Sequence, residues 1–470
     1  MILHLAGLVA ANACFLAAGV GLGRPLGLWR SPGDIPGRIA LLYMVGLAVV
    51  GVTATWALIA GLALAPWQVI VWCALIAAAG AFAPAPRAPL LARMPRVTAE
   101  SWAVIAVAAG VAMMSALLLL DALYRPLAEW DAWAMWTMKA RAIVLLGGLD
   151  PHMFAAPGYR LLHLDYPLLL PGLEAIDFRF MGALDTQVVH VQPALLMVGL
   201  LFALPPLLRD RVPAALVWPA VLLLAVAPRV ISQAGSALAD VPVAVFFALA
   251  AVWGWRWLGD RRPRALALCA LFAAAALSTK REGGPFVLAL FVVVAVAAGR
   301  GRRLQAAGAG IAALAVAAPW QLWLHANGVN TRNGEIPYAK MLDAGYLAGR
   351  LGRIPHGAWA LVSRSVQPAE WLVIVPVALV AAVLAARRDG RGTAAFVAAV
   401  AVLVLASVGW AYWIGRPSLH YYIASSASRV VTTPVLLVGA LLPVLVAGGP
   451  LRPSPRDDAD TPPEPDSPTI

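Results

Sequence analysis

The sequence predicts an all-α polytopic membrane protein, a bundle of about 13 spans with long extracytoplasmic loops that carry interfacial helices. Three observations predict it. Of the 470 residues, 62% are hydrophobic and 12% charged, where a soluble domain carries about 25% charged residues. Apolar runs of span length recur along the whole chain. The arginines fall mainly in the short connections between those runs, which is the signature of positive-inside topology.

The expected spans are 4–22, 39–62, 66–85, 102–120, 187–207, 214–230, 240–258, 265–279, 285–299, 305–325, 371–386, 393–412 and 433–448. The N-terminal run has no basic stretch before it and no small-residue cleavage site, so it reads as a retained first span. Basic clusters stand in alternate connections: Arg24, Arg30 and Arg38; Arg87, Arg93 and Arg96; Arg209 and Arg211; Arg261, Arg262 and Arg264; Arg300, Arg302 and Arg303; Arg387, Arg388 and Arg391. With these spans all six clusters share one side, the cytoplasmic one, which places the N-terminus outside and the C-terminus inside the cell inner (plasma) membrane. The long loops, 121–186, 231–239, 280–284, 326–370 and 413–432, then lie outside. The Pro-, Asp- and Ser-rich tail (449–470) cannot bury a core and is expected to be disordered and cytoplasmic.

The formal charge of +12 is spread over these short loops, so nucleic acid is not an expected partner. Cys14, Cys73 and Cys269 sit in apolar runs with neither metal-ligand nor disulfide spacing. The chain has no Walker loop, dinucleotide fingerprint or HExxH, and neither cofactor nor metal is expected.

The polar residues that need a reason lie outside. In Glu129-Trp-Asp131, two carboxylates open a helix whose Trp130, Trp133 and Trp136 recur at helical spacing. Such a helix lies in the interface plane, with indoles at headgroup level. Glu129 and Asp131 are two residues apart and point in different directions on a helix, so one of them, Asp131, is expected to face the site. His163 and Asp165 precede Pro167 and Pro171, which break helices, so a turn and then a short helix re-entering the interface are expected; the two residues read either as a solvated turn with an N-cap or as site residues. Asp240 stands before Val-Pro at the start of a span, a good N-cap that can also point across the outer mouth. Lys280 and Arg281 occupy a very short outer loop, where the positive-inside bias disfavours cations. They either hold an anion or pair with Glu282. Arg429 reaches the outer surface just before the last run, where its fork fits a lipid phosphate or simply snorkels to headgroups.

These pieces, in this order, resemble the GT-C class of integral-membrane glycosyltransferases, which includes protein O-mannosyltransferases, aminoarabinose transferases and bacterial dolichyl-phosphate-mannose-type enzymes. The resemblance covers roughly residues 102–448 and implies a GT-C-like catalytic membrane domain there, with residues 1–101 an N-terminal three-span addition. Glu129-Trp-Asp131 stands where the class has its acidic first-loop motif, His163-Leu-Asp-Tyr-Pro167 where it has a His-Pro-Pro-Leu-like turn, Asp240-Val-Pro242 at the later Asp, Thr279-Lys280 at the short Lys loop, and Ser428-Arg429 at the Arg near the end. His163-Leu-Asp-Tyr departs from His-Pro-Pro-Leu, Val430 replaces the usual Tyr, and the first three spans lie outside the pattern.

The resemblance implies a GT-C-like fold and an enzyme that moves a sugar from a polyprenyl-phosphate-linked donor to the hydroxyl of an extracytoplasmic glycan, lipid or protein acceptor. The residues fit such a step: a carboxylate, Asp131 with Glu129 as second choice, accepts the acceptor's proton, while Asp240, Lys280, Arg281, Arg429, His163 and Asp165 bind substrate. The alternatives are a transporter or flippase, or a ligase, for lipid-linked sugars; a translocating protein needs polar groups deep within its spans.

Overall fold

The computed structural model describes residues 1–86, 90–91, 102–329, 335–449 and 451, the side chains of residues 160, 161 and 338 excepted. The expected tail, apart from Gly449 and Leu451, and Arg87, Arg93 and Arg96 of the basic loop lie outside the described residues. The described secondary structure is helical throughout.

Every expected span is helical, but not every one is long. Eight helices are long and apolar enough to cross a membrane, or nine if the pair Ala214–Ala225 and Pro228–Ala234, bent by 62°, is one span. The other four expected segments form the shorter helices Pro66–Phe82, Pro263–Thr279, Gly283–Ala298 and Ile374–Ala386. Proline fixes several starts: Pro66, Pro151, Pro228, Pro263 and Pro368 occupy the first helical turn, where the missing N–H is not needed. Asp240–Asp260 runs through the centre of the bundle, all of its apolar window buried. It packs on Pro263–Thr279, Val191–Leu208 and Thr432–Ala447.

Small residues let the first helices approach closely. A Cβ on Gly19 would stand 1.8 Å from the Leu42 carbonyl oxygen, and one on Gly46 1.8 Å from that of Phe15, so Ile2–Gly23 and Ile39–Ile59 cross through paired glycines. The same helices hold Leu169–Met181: Gly7 abuts the Phe180 backbone and Gly51 the Leu169 side chain. That helix falls in the stretch expected to be an outer loop. It is instead buried along most of its length, with Glu174 and Asp177 enclosed. Its Leu-rich start packs as a core segment, and no period in its sequence separates a loop helix from a core helix.

The Arg-rich connections gather at one end. The Arg256 guanidinium takes Asp210 in a fork at 2.7 Å and donates to the Leu90 carbonyl at 3.0 Å. Arg211 pairs with Asp260, and Arg302 donates to the Arg261 carbonyl at 3.1 Å. The remaining connections, which hold the candidate residues, meet at the opposite end.

Candidate functional site

Four of these connections and the helix ends they join build one charged cluster. Residues Ala132–Trp136 form a single π-helical turn after Asp131. This wider turn breaks the expected Trp stripe. Trp130 and Trp133 stay exposed, edge to face at 6.4 Å, whereas Trp136 is buried against Tyr166 with Lys139 over its ring at 4.7 Å. Insertions of this kind concentrate at functional sites.

The second segment turns after Pro157–Leu162. His163 adopts φ +47°, and its ring packs tilted against Tyr166, centroids 4.9 Å apart. Asp165 is held by its carbonyl, which accepts from Trp320 Nε1 at 3.2 Å, and its carboxylate pairs with Arg281. In the third segment Ala237, φ +55°, turns the chain into Asp240. A non-glycine residue in this region costs about 1 kcal/mol or more, and such strain is retained where the surroundings over-determine it.

Asp240 is the centre. One of its oxygens takes Lys280 Nζ at 2.9 Å, and the other lies 3.3 Å from both Nε and Nη2 of Arg429. Lys280 also meets Glu282 at 3.2 Å, and Arg429 pairs with Asp131. Asp240 and Lys280 form a buried floor, with 4% and 7% of their side chains exposed, and Asp131 and Arg429 the open edge, with 23% and 24%. A molecule arriving from solvent therefore meets Asp131 and Arg429 first.

The structure thus brings together Asp131, Asp165, Asp240, Lys280, Arg281 and Arg429. Glu129 is exposed and makes no ion pair among the described residues; its carbonyl accepts from the N–H groups of Ala132 and Trp133. In the short loop Lys280 pairs with Glu282, as one expectation had it, and also faces Asp240. Burial pulls the Lys280 ammonium down, but Asp240 and Glu282 outweigh it and raise its pKa. His163 goes the other way: burial, then Lys139 and Arg281, lower it to about 4, so at neutral pH it offers a hydrogen bond and no charge.

Three further groups were not singled out in the sequence. Glu335 is half-buried, and burial, with Glu282 and Asp131 adding to it, raises its carboxyl. Its stretch, Asn-Gly-Glu-Ile, carries only a turn signal. Lys139 is enclosed behind Trp136 and Tyr166 and donates to the His163 carbonyl at 3.3 Å. Glu370, beneath the last segment, accepts from Ser428 Oγ at 3.0 Å and pairs with Arg229 at 2.7 Å, which anchors the residue beside Arg429. Each had the appearance of a solvated charge in an interfacial stretch, and burial alone distinguishes them.

Chemically, the cluster offers three cations, Lys280 and Arg281 on the buried carboxylates Asp240 and Asp165, and Arg429 on Asp131 at the open edge. Among the described residues no group of three or more His, Cys, Asp or Glu side chains is arranged to hold a metal ion. No family model matches the chain, and no curated protein or solved structure matches it.

Proposed function

We propose that the protein is an integral-membrane glycosyltransferase that moves a sugar from a polyprenyl-phosphate donor to a hydroxyl on the side away from the cytoplasm. The observation that carries the reading is the convergence of Asp131, Asp240, Lys280 and Arg429, four residues spread over 298 positions of sequence, on one partly open cluster. The order of the motifs, which resembles that of the GT-C class, points the same way.

The donor's phosphate is a leaving group that needs positive charge and no proton. Arg429, whose fork suits phosphate oxygens, takes it at the open edge, with Lys280 and Arg281 behind. Asp240 holds Lys280 and Arg429 in place. When phosphate engages Arg429, Asp131 loses its cationic partner and is left free to take the acceptor's proton. The acceptor oxygen forms its bond to the sugar's anomeric carbon as the bond from that carbon to the phosphate oxygen breaks. The hydroxyl proton goes to Asp131 and the electron pair leaves with the phosphate. Asp131 serves as base because it is the accessible partner; Asp240 is buried.

Deletion of the gene, followed by mass spectrometry of the membrane lipids, tests the reading. A polyprenyl-phosphate sugar should accumulate in the outer leaflet and disappear when the gene is restored. Accumulation confined to the cytoplasmic leaflet would indicate a flippase, and an unchanged lipid profile would remove the transferase reading.

A further inference from the structure

A second site lies at the opposite end of the molecule from the charged cluster. A cleft of about 1090 Å³ opens between the helices Ile2–Gly23, Ile39–Ile59, Trp102–Tyr124, Val191–Leu208 and Ala214–Ala225. Its wall is apolar almost throughout. The polar pair in it, Asn12 and Tyr43, is internally satisfied: the Tyr43 hydroxyl donates to Asn12 Oδ1, and Asn12 Nδ2 to the Leu8 carbonyl at 2.8 Å.

One charge stands at the Arg-rich mouth. Of the consecutive residues Arg209, Asp210 and Arg211, Asp210 is taken by Arg256 at 2.7 Å and Arg211 by Asp260. Arg209 makes no ion pair among the described residues, its Nε is buried without a hydrogen-bond partner, and it lines the cleft. Arg38 adds its positive charge there, and Asp210, itself held by Arg256, offsets part of it. A half-buried guanidinium at the end of an apolar wall, its Nε unpartnered and a second cation beside it, suits an anion.

The dimensions identify what carries that anion. Along the Val191–Leu208 helix the lining runs from Leu195 to Arg209, about 21 Å at 1.5 Å per residue. Half of a bilayer's hydrocarbon core is about 15 Å. The cleft is therefore long enough for the acyl chains of one leaflet whose headgroup lies at Arg209, and five helices line it.

We propose that this cleft binds one anionic glycerophospholipid of the leaflet at the Arg-rich end, its phosphate on Arg209 and its two chains against Ala13, Val198 and Phe202. The site is separate from the charged cluster and independent of the transfer chemistry.

Photolabelling tests it. The full-length protein is placed in nanodiscs of phosphatidylcholine doped with phosphatidylglycerol that carries a diazirine in one acyl chain, and the labelled peptides are identified by mass spectrometry. Label should concentrate on residues 9–16 and 195–206. Arg209→Gln should lower it about tenfold, the loss of one charge-assisted contact. Ala13→Trp, at an exposed alanine of the wall, should remove it by filling the space. Unlabelled phosphatidylglycerol should compete about tenfold better than phosphatidylcholine or polyprenyl phosphate. Label no denser there than on the Arg391–Ile414 helix, equal yields in the wild type and both variants, or preferential displacement by polyprenyl phosphate would each overturn the assignment.

Discussion

Lys139 is a lysine with no surface. Burial, reinforced by Arg281, holds its ammonium at about 7, against an ordinary value of 10.5, while Glu174 pulls it back up. Between those two values the unfolded chain carries a proton that the folded chain does not, so this group's contribution makes stability rise with pH across that window. Below about pH 7 the fold bears the full penalty of the buried charge. Glu174 and Asp177, whose carboxyls burial raises, act in the opposite sense, but they are common to the wild type and a Lys139→Met variant. The melting temperature of the wild type should therefore gain on that of Lys139→Met between pH 7 and 9 in detergent; parallel curves would show that Lys139 is not buried as a base. At Arg429, shape matters as well as charge. Arg429→Lys keeps the cation but loses the planar fork, and the apparent KM for a polyprenyl-phosphate sugar should rise about tenfold. An unchanged KM in Arg429→Ala would place the phosphate elsewhere. The anomalous charges were legible in the sequence because of where they stand: Lys280 and Arg281 break the positive-inside bias, and Asp240 interrupts an apolar run. Lys139, Glu174 and Glu335 were not. Each stands in a stretch expected to lie in an outer loop, where a charge is ordinary, and only tertiary burial makes it unusual.

At the scale of elements, the apolar runs specified the helices, and Pro at the first turn fixed several starts. The π turn at Ala132–Trp136 was illegible, since one inserted residue leaves the Trp spacing intact while it rotates Trp136 from the interface into the core. The burial of Leu169–Met181 was illegible for a different reason: it depends on glycines in distant helices, Gly7 and Gly51, that leave room for it. Paired glycines also set the crossing of Ile2–Gly23 with Ile39–Ile59. Gly46→Val would drive a side chain into the Phe15 carbonyl, and the helices cannot separate without disturbing Leu169–Met181 and the turn that follows His163. The change should destabilise by about 1–3 kcal/mol or more, read as a fall in melting temperature in detergent. An unaltered melting temperature would mean that the crossing is looser than the glycines imply. Glu370 supports the final element in a similar way, through Ser428, and so fixes where Arg429 is presented.

For the whole molecule, the two ends divide the work: ion pairs between short Arg-rich connections knit one end, and the other holds the cluster. Reporter fusions after Gly148 and after Arg303 should report the exterior and the cytoplasm, respectively; a cytoplasmic Gly148 would put Asp131 on the wrong side for an outer-leaflet donor. The alternation of the basic clusters is what predicts this orientation. The convergence of Asp131, Asp240, Lys280 and Arg429 was only implied by motif order, because nothing in a sequence measures a distance across 298 positions. Turnover by the Asp131→Asn variant, purified and returned to proteoliposomes with a labelled polyprenyl-phosphate sugar, tests the site most directly. Asparagine keeps the size and most hydrogen bonds but cannot take a proton. The variant should fold and bind donor while transfer falls about 10²–10⁴-fold, and Glu129→Gln, at the exposed neighbour, should lose far less. Full activity in Asp131→Asn, with or without a loss in Glu129→Gln, would contradict the assignment of Asp131 as the base.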